Sequence, residues 1–107
     1  MPLQKEYLTN KNICRATFHL ENKYSYAISK VNLVGDFNSW SSSETPLIKQ
    51  QDGSYKVTID LPINEEFQFR YLINGDIWVN DSKADKYCPA PIGNVDNSII
   101  ITTMNKK

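Results

Sequence analysis

The chain has 107 residues, 40% of them apolar and 22% charged, and its 12 basic residues balance 12 acidic ones. This length accommodates one domain with one hydrophobic core. Proteins that bind nucleic acids or anionic membranes usually carry a basic excess on one face. The balanced and scattered charge therefore predicts neither a nucleic-acid nor a membrane partner.

The N-terminal sequence and the cysteines point to the cytoplasm. The first residues lack the apolar run of a secretory signal, and no segment approaches the roughly 18 apolar residues of a membrane span. Cys14 and Cys88 are too few and too widely separated for a disulfide framework or a zinc knuckle. We expect both to be free thiols in a reducing compartment.

Alternation of apolar and polar residues is the main pattern of the chain. In the segment ICRATFHL (13–20), Cys14 and every second residue after it are apolar, while the residues between them are polar. The segments SYKVTIDL (54–61) and EFQFRYLIN (66–74) repeat this pattern. A period of two predicts half-buried strands of an antiparallel sheet.

The remaining segments complete an all-β pattern. Further strands are predicted at 31–34, 77–79 and 98–102, with turns at 52–53, 74–75 and 89–93. No segment has a convincing helical period. About six to eight short strands predict an immunoglobulin-like antiparallel β-sandwich. We expect a flexible N-terminal segment at 1–10, the sandwich at 11–103 and a tail at 104–107.

The polar residues do not form a pattern that indicates catalysis. His19 lies in the middle of a predicted strand, on its polar face, and no nearby Ser or Cys is suited to pair with it as a nucleophile. Asp76, Asp81, Asp85 and Asp96 match no calcium-binding loop. Glycosidase chemistry needs two carboxylates across a cleft, which short loops do not build. We therefore predict that the protein is not an enzyme and has no cofactor or metal site.

Two tryptophans follow predicted strands in polar surroundings. Trp40 ends the stretch VNLVGDFNSW, and Trp78 follows the Asn74-Gly75 turn. Each either closes one end of the core or offers a flat apolar surface to a ligand. For Trp78 the register of the hairpin decides whether the ring faces the core or the outer surface. A two-residue loop pairs it with Tyr71 and turns it inward, whereas a three-residue loop with a bulge pairs it with Leu72 and turns it outward, beside Arg70.

Four segments of the chain, in this order, resemble carbohydrate-binding module family 48. They are VNLVGDFNSW, DGSYKVTIDLP, FQFRYLINGDIWVND and IGNVDNSIII. The resemblance covers about residues 13–102, and the family includes the N-terminal domains of isoamylases and glycogen branching enzymes. It implies an early-set immunoglobulin-like sandwich that binds α-1,4-linked glucans such as glycogen.

The resemblance also implies which residues contact the glucan. Two stacking tryptophans and several polar or loop residues correspond to positions of this chain: Trp40, Trp78, Arg70, Ile92, Asn94 and Asp96, with Asn97 adjacent. Strand alternation adds Leu72, which shares the outward face of Arg70. Arg70 stands where family members have a Lys, and Asp96 stands where they have an Asn. The 74–77 loop has one residue more than the corresponding loop of the family domain. This extra residue requires the bulged hairpin if Trp78 is to remain on the site.

A second function class stays open beside the glucan-binding module. The same sandwich is suited to dock onto a glucan-metabolising enzyme or onto itself, because exposed aromatic residues and strand edges also serve protein contacts. Failure to bind glucan, together with a stable oligomer or a captured partner, would favour this docking module over the glucan-binding module.

Overall fold

The structure is a computed structural model that describes residues 3–8, 10–91 and 95–103. Within these residues the fold is all-β, and two antiparallel sheets pack face to face as an immunoglobulin-like sandwich. The first sheet has the order β1-β2-β5-β4, with β1 at Gln4–Leu8, β2 at Ile13–Leu20, β4 at Ile48–Lys49 and β5 at Tyr55–Pro62. The predicted fold class is confirmed.

The second sheet carries the site described below. Its order is β3-β6-β9-β8, and β7 also pairs with β6, with β3 at Val31–Gly35, β6 at Glu66–Ile73, β7 at Ile77–Val79, β8 at Lys86–Pro89 and β9 at Asp96–Ile101. Strand β6 is central, because it pairs with β3 as well as with β7 and β9. Side chains of one face of β6 enter the core, and those of the other face form the outer surface of the sheet.

Strands β2 and β5 show how alternation builds the sandwich. They pair from Ile13 with Pro62 to Leu20 with Tyr55. The inward residues of β2 are buried, while Arg15 on the outer face forms an ion pair with Asp60 at 2.8 Å. Each fully buried large side chain contributes about 1.5–3 kcal/mol of hydrophobic stabilisation, so this face anchors the strand in the core.

Aromatic rings from both sheets meet in the core. Phe18 of β2 contacts Phe69 of β6 edge to face, with ring centroids 5.0 Å apart, and Phe69 contacts Tyr71 at 5.8 Å. All three residues are fully buried. The Tyr71 hydroxyl donates to Asp81 Oδ2 at 2.7 Å, so the one polar group of this cluster has a partner.

Three edge strands depart from the sequence predictions, among them β4 at Ile48–Lys49, where no strand was predicted. The predicted flexible segment is wrong for Gln4–Leu8, because these residues form β1 and pair with β2. Lys5 occupies an inward position and hides the alternation, and its charge is paired with Asp85 at 2.7 Å. Strand β8 was not predicted either, and its last residue, Pro89, was placed in the 89–93 turn; the strand accommodates this proline because it lies at the edge of its sheet. Cys14 and Cys88 are free thiols, as predicted.

Candidate functional site

The loop after β3 begins with a close contact between two strands. Gly35, the last residue of β3, lies opposite Phe69 of β6. A Cβ atom on Gly35 would lie 2.5 Å from the backbone oxygen of Gln68 and 2.7 Å from Cβ of Phe69. Real Cβ atoms do not approach other atoms so closely. The glycine therefore lets the chain leave β3 tightly against β6.

Phe37 and Asn38 hold the one-turn helix that follows, Asp36–Asn38. The Phe37 ring packs against Phe18, with centroids 5.7 Å apart. Asn38 is buried, and its amide nitrogen donates to the Leu33 carbonyl at 2.8 Å while its oxygen accepts from the Gly35 N–H at 3.1 Å. Both residues tie the loop to the body of the domain, so that Trp40 is presented at a defined place.

The backbone at Trp40 adopts a conformation that bulky residues rarely accept. Ser39 and Trp40 both have positive φ, 56° and 57°. The left-handed region costs an L-residue roughly 1–2 kcal/mol, and such strain clusters at functional sites. The Trp40 N–H donates to the Gly35 carbonyl at 2.8 Å, and its indole Nε1–H donates to Asp36 Oδ1 at 2.8 Å. The half-buried ring is held by these bonds at the surface rather than in the core.

The β6–β7 hairpin has the three-residue loop that turns Trp78 outward. Ile73 pairs with Ile77 and Leu72 with Trp78, so Asn74, Gly75 and Asp76 form the loop. Asn74 and Gly75 have positive φ, 55° and 80°, as a tight turn requires. Of the two registers that periodicity left open, the structure has the one that pairs Trp78 with Leu72. In this register 45% of Trp78 is exposed.

Asn74 explains why the longer loop is stable. Its side-chain oxygen accepts from the Ser29 N–H at 2.7 Å, and its amide nitrogen donates to the Ala27 carbonyl at 2.9 Å. Its backbone N–H donates to the Lys30 carbonyl at 2.9 Å. The turn is therefore fastened to the segment before β3, which is about 45 residues away in sequence.

Arg70 lies against Trp78 and lines the same depression as Trp40. Its guanidinium carbon lies 5.3 Å from the centroid of the Trp78 ring, within the range of a cation–π contact. Its Nε–H donates to Asn97 Oδ1 at 2.7 Å, and Asn97 Nδ2 donates to Gln68 Oε1 at 2.9 Å. Asn97 is only 2% exposed, so it orients Arg70 from below.

A shallow depression of about 430 Å³ lies between Trp40 and Arg70 and is lined by both. Its lining combines an aromatic ring, one guanidinium, one carboxylate, two amides and two small apolar residues: Trp40, Arg70, Asp36, Gln68, Asn97, Ala90 and Pro91. Opposite charges balance within it. The depression thus offers a flat apolar surface with hydrogen-bond donors and acceptors beside it, which suits a neutral ligand with apolar faces and a polar rim.

The structure does not bring every predicted site residue to this face. Asp96 is exposed, but strand alternation turns it to the opposite face of β9 from Asn97. Leu72 is 3% exposed and lies directly opposite Trp78, so it supports the ring from within the sheet. Ile92 and Asn94 lie outside the described residues.

Four residues of the depression were not singled out from the sequence: the small apolar Ala90 and Pro91, and the polar Asp36 and Gln68. Asp36 follows the glycine of the loop and accepts hydrogen bonds on both carboxylate oxygens, from Trp40 Nε1 and from the Gln68 backbone N–H, each at 2.8 Å. Gln68 precedes Arg70 by two positions and therefore shares its face. That spacing was the available signal for Gln68, whereas the role of Asp36 depends on the fold.

Over residues 18–88 the chain matches the family Carbohydrate-binding module 48 (Isoamylase N-terminal domain). The chain belongs to this family. It is also 35% identical over 68 residues to the 1,4-alpha-glucan branching enzyme GlgB of Aquifex aeolicus (strain VF5). That alignment covers 60% of this chain and 11% of the branching enzyme. The recognition made from the sequence motifs is confirmed.

Membership in Carbohydrate-binding module 48 assigns the chain to a class of non-catalytic binding modules. Among the described residues, no group of three or more His, Cys, Asp or Glu side chains is arranged to hold a metal ion. No helix in that part of the chain is long and apolar enough to cross a membrane.

Proposed function

We propose that the outer face of the second sheet binds an α-1,4-linked glucan, with Trp40 and Trp78 stacking on sugar rings and Arg70 between them hydrogen-bonding hydroxyl groups. The observation that carries the proposal is the single cluster joining both tryptophans through Arg70, which lines the depression with Trp40 and lies against Trp78. Family membership gives the ligand class, and the branching-enzyme relative favours the α-1,4-glucan.

The chemistry of a pyranose ring supports this assignment. The ring has an apolar face of C–H groups and a rim of hydroxyls that both donate and accept hydrogen bonds. Trp side chains cover such a face with a large area at little cost in conformational entropy. Arg70 donates to the rim and the Asp36 carboxylate borders the same depression. A shallow, open site of this kind predicts a modest Kd, between about 10 μM and about 1 mM.

The module acts without catalysis of its own in this proposal. It binds glycogen-like polymers in the cytoplasm, where both cysteines stay reduced, and a glucan-metabolising enzyme is its partner. Because the alignment spans only 11% of the branching enzyme, that enzyme's activity is not attributed to this chain.

Calorimetric titration with maltoheptaose and β-cyclodextrin tests the proposal. Wild type should saturate, whereas Trp40→Ala and Trp78→Ala should each weaken binding by tenfold or more, by analogy with the loss of about 1–3 kcal/mol when an aromatic residue that stacks on a nucleobase is replaced by Ala. Ile48→Ala is the matched control, because Ile48 is 66% exposed on β4 of the other sheet and should leave affinity unchanged. Cellohexaose, with β-linkages, should bind more weakly.

Two results would contradict the proposal in different ways. If wild type does not saturate up to about 10 mM ligand, affinity is weaker than about 3 kcal/mol and the face is not a glucan site. A stable oligomer or a captured enzyme would then support the docking alternative. If only Trp40→Ala weakens binding, the glucan function stands and the two-Trp mode is wrong.

A further inference from the structure

Asp36 joins the surface loop to the central strand. Its Oδ1 accepts the indole N–H of Trp40, and its Oδ2 accepts the backbone N–H of Gln68, both at 2.8 Å. Strand β3 ends at Gly35, opposite Phe69. The Gln68 N–H therefore lies beyond the end of β3, and the carboxylate supplies the acceptor that a longer β3 would have provided.

The backbone alone does not determine the direction of the Trp40 ring. The loop places Trp40 in the left-handed region, where its side chain projects from the strained end of a one-turn helix. The indole N–H is bonded to the carboxylate four residues earlier. A hydrogen bond to a charged acceptor is shorter and stronger than one between neutral groups. Asp36 therefore restricts the ring to one orientation relative to β6.

This orientation matters because Asp36, Trp40 and Gln68 line the same depression. Resting on the proposed glucan function, we propose that Asp36 is a positioning residue of the site. Its carboxylate locks the Trp40 ring against β6 with one face open toward the depression, so that the ring is already ordered before a sugar stacks on it. Binding then does not require further ordering of this side chain.

The test combines glucan affinity with the signal of one indole N–H. Asp36→Ala should raise the Kd for maltoheptaose about five- to tenfold, the size expected for one lost hydrogen bond at a partly exposed site. Asp36→Asn should be intermediate, since its single carbonyl oxygen can replace only one of the two acceptors. Asp76→Ala, an exposed aspartate in the β6–β7 loop, is the charge-matched control and should leave the Kd unchanged.

In ¹H–¹⁵N spectra the two indole N–H signals are distinguished with Trp78→Phe. Without glucan, Asp36→Ala should move the Trp40 signal upfield and speed its exchange with water, while the Trp78 signal stays in place. Circular dichroism identifies any variant that fails to fold, in which case Asp36→Asn provides both readouts.

The outcomes separate this inference from the function on which it rests. No saturation by wild type overturns the proposed function. Saturation by wild type with an unchanged Kd in folded Asp36→Ala overturns the positioning role alone. An unmoved Trp40 signal also overturns that role, whatever glucan does.

Discussion

The Arg70 guanidinium carbon lies 5.3 Å from the centroid of the Trp78 ring, on the outer face of the second sheet. Register produces this contact, because Trp78 pairs with Leu72, which lies two positions after Arg70 on the same face of β6. A cation–π contact at a partly exposed site contributes about 0.5–1 kcal/mol. The cation also holds the exposed ring in place.

Replacing Arg70 should weaken glucan binding more than it weakens the fold. Arg70→Met keeps the aliphatic length of the side chain but removes its charge and its bond to Asn97. We expect the Kd for maltoheptaose to rise about tenfold, corresponding to about 1.4 kcal/mol, as measured by calorimetry. Arg15→Met is the control. It removes an exposed ion pair with Asp60 on the other sheet and should not change affinity. Equal effects of both variants would contradict the assignment.

Deleting Asp76 should preserve the site. The turn residues Asn74 and Gly75 already have positive φ, so removing Asp76 leaves a two-residue loop in which Ile73 still pairs with Ile77. Trp78 then remains opposite Leu72 and exposed. We expect the tryptophan emission maximum to stay at the wild-type wavelength. The glucan Kd should stay within about twofold of the wild-type value. A blue-shifted emission with lost binding would show that Asp76 itself maintains the register.

Gly35→Ala should destabilise the domain more than Gly53→Ala. At Gly35 the added Cβ meets the backbone of β6 at 2.5 Å, and overpacking of this kind costs about 1–3 kcal/mol or more. Gly53 has φ 89° but open space, with no atom closer than 3.9 Å, so its cost is the roughly 1–2 kcal/mol of the left-handed region.

Urea unfolding measures the free energy of unfolding of both variants, and glucan titration measures their affinity. Gly35→Ala should also weaken binding, because it displaces the loop that carries Trp40. Gly53→Ala should bind like wild type. The reverse order of stabilities would contradict the steric role assigned to Gly35.

Tyr71 should make stability fall at alkaline pH. Burial, and then the negative charge of Asp81, raise the pKa of Tyr71 well above its ordinary value of 10.0. Below pH 10 the phenol is protonated in the folded and unfolded chains alike, and its contribution is fully present. Above pH 10 the unfolded chain releases a proton that the folded chain keeps. The free energy of unfolding then falls by about 1.4 kcal/mol per pH unit until the folded pKa is reached.

Tyr71→Phe isolates this contribution. At pH 7 the variant should be less stable by about 1–3 kcal/mol, because the buried Asp81 loses a donor. From pH 10 upward the difference from wild type should shrink, since the variant lacks this titration. Urea unfolding at pH 7, 9, 10 and 10.5 measures it. A difference that stays constant above pH 10 would contradict the assignment.

The sequence alone was sufficient for the fold class, the main strands and the family. Alternation is a local property, so the buried faces of β2, β5 and β6 follow directly from neighbouring residues. It was insufficient for β1, because the inward Lys5 breaks the apolar pattern and is neutralised by Asp85, 80 residues away.

The site divides in the same way. The motif from Gly35 to Trp40 and the hairpin tryptophan are local features, visible in the chain itself. Only the tertiary structure decided that Trp78 faces outward, because one residue of register is decided by bonds from Asn74 to the distant segment before β3. It also selected Asn97 rather than Asp96 as the partner of Arg70, and Asp36 as the partner of Trp40. These pairings depend on contacts between residues that are far apart in sequence. Periodicity is a local pattern and carries no information about such contacts.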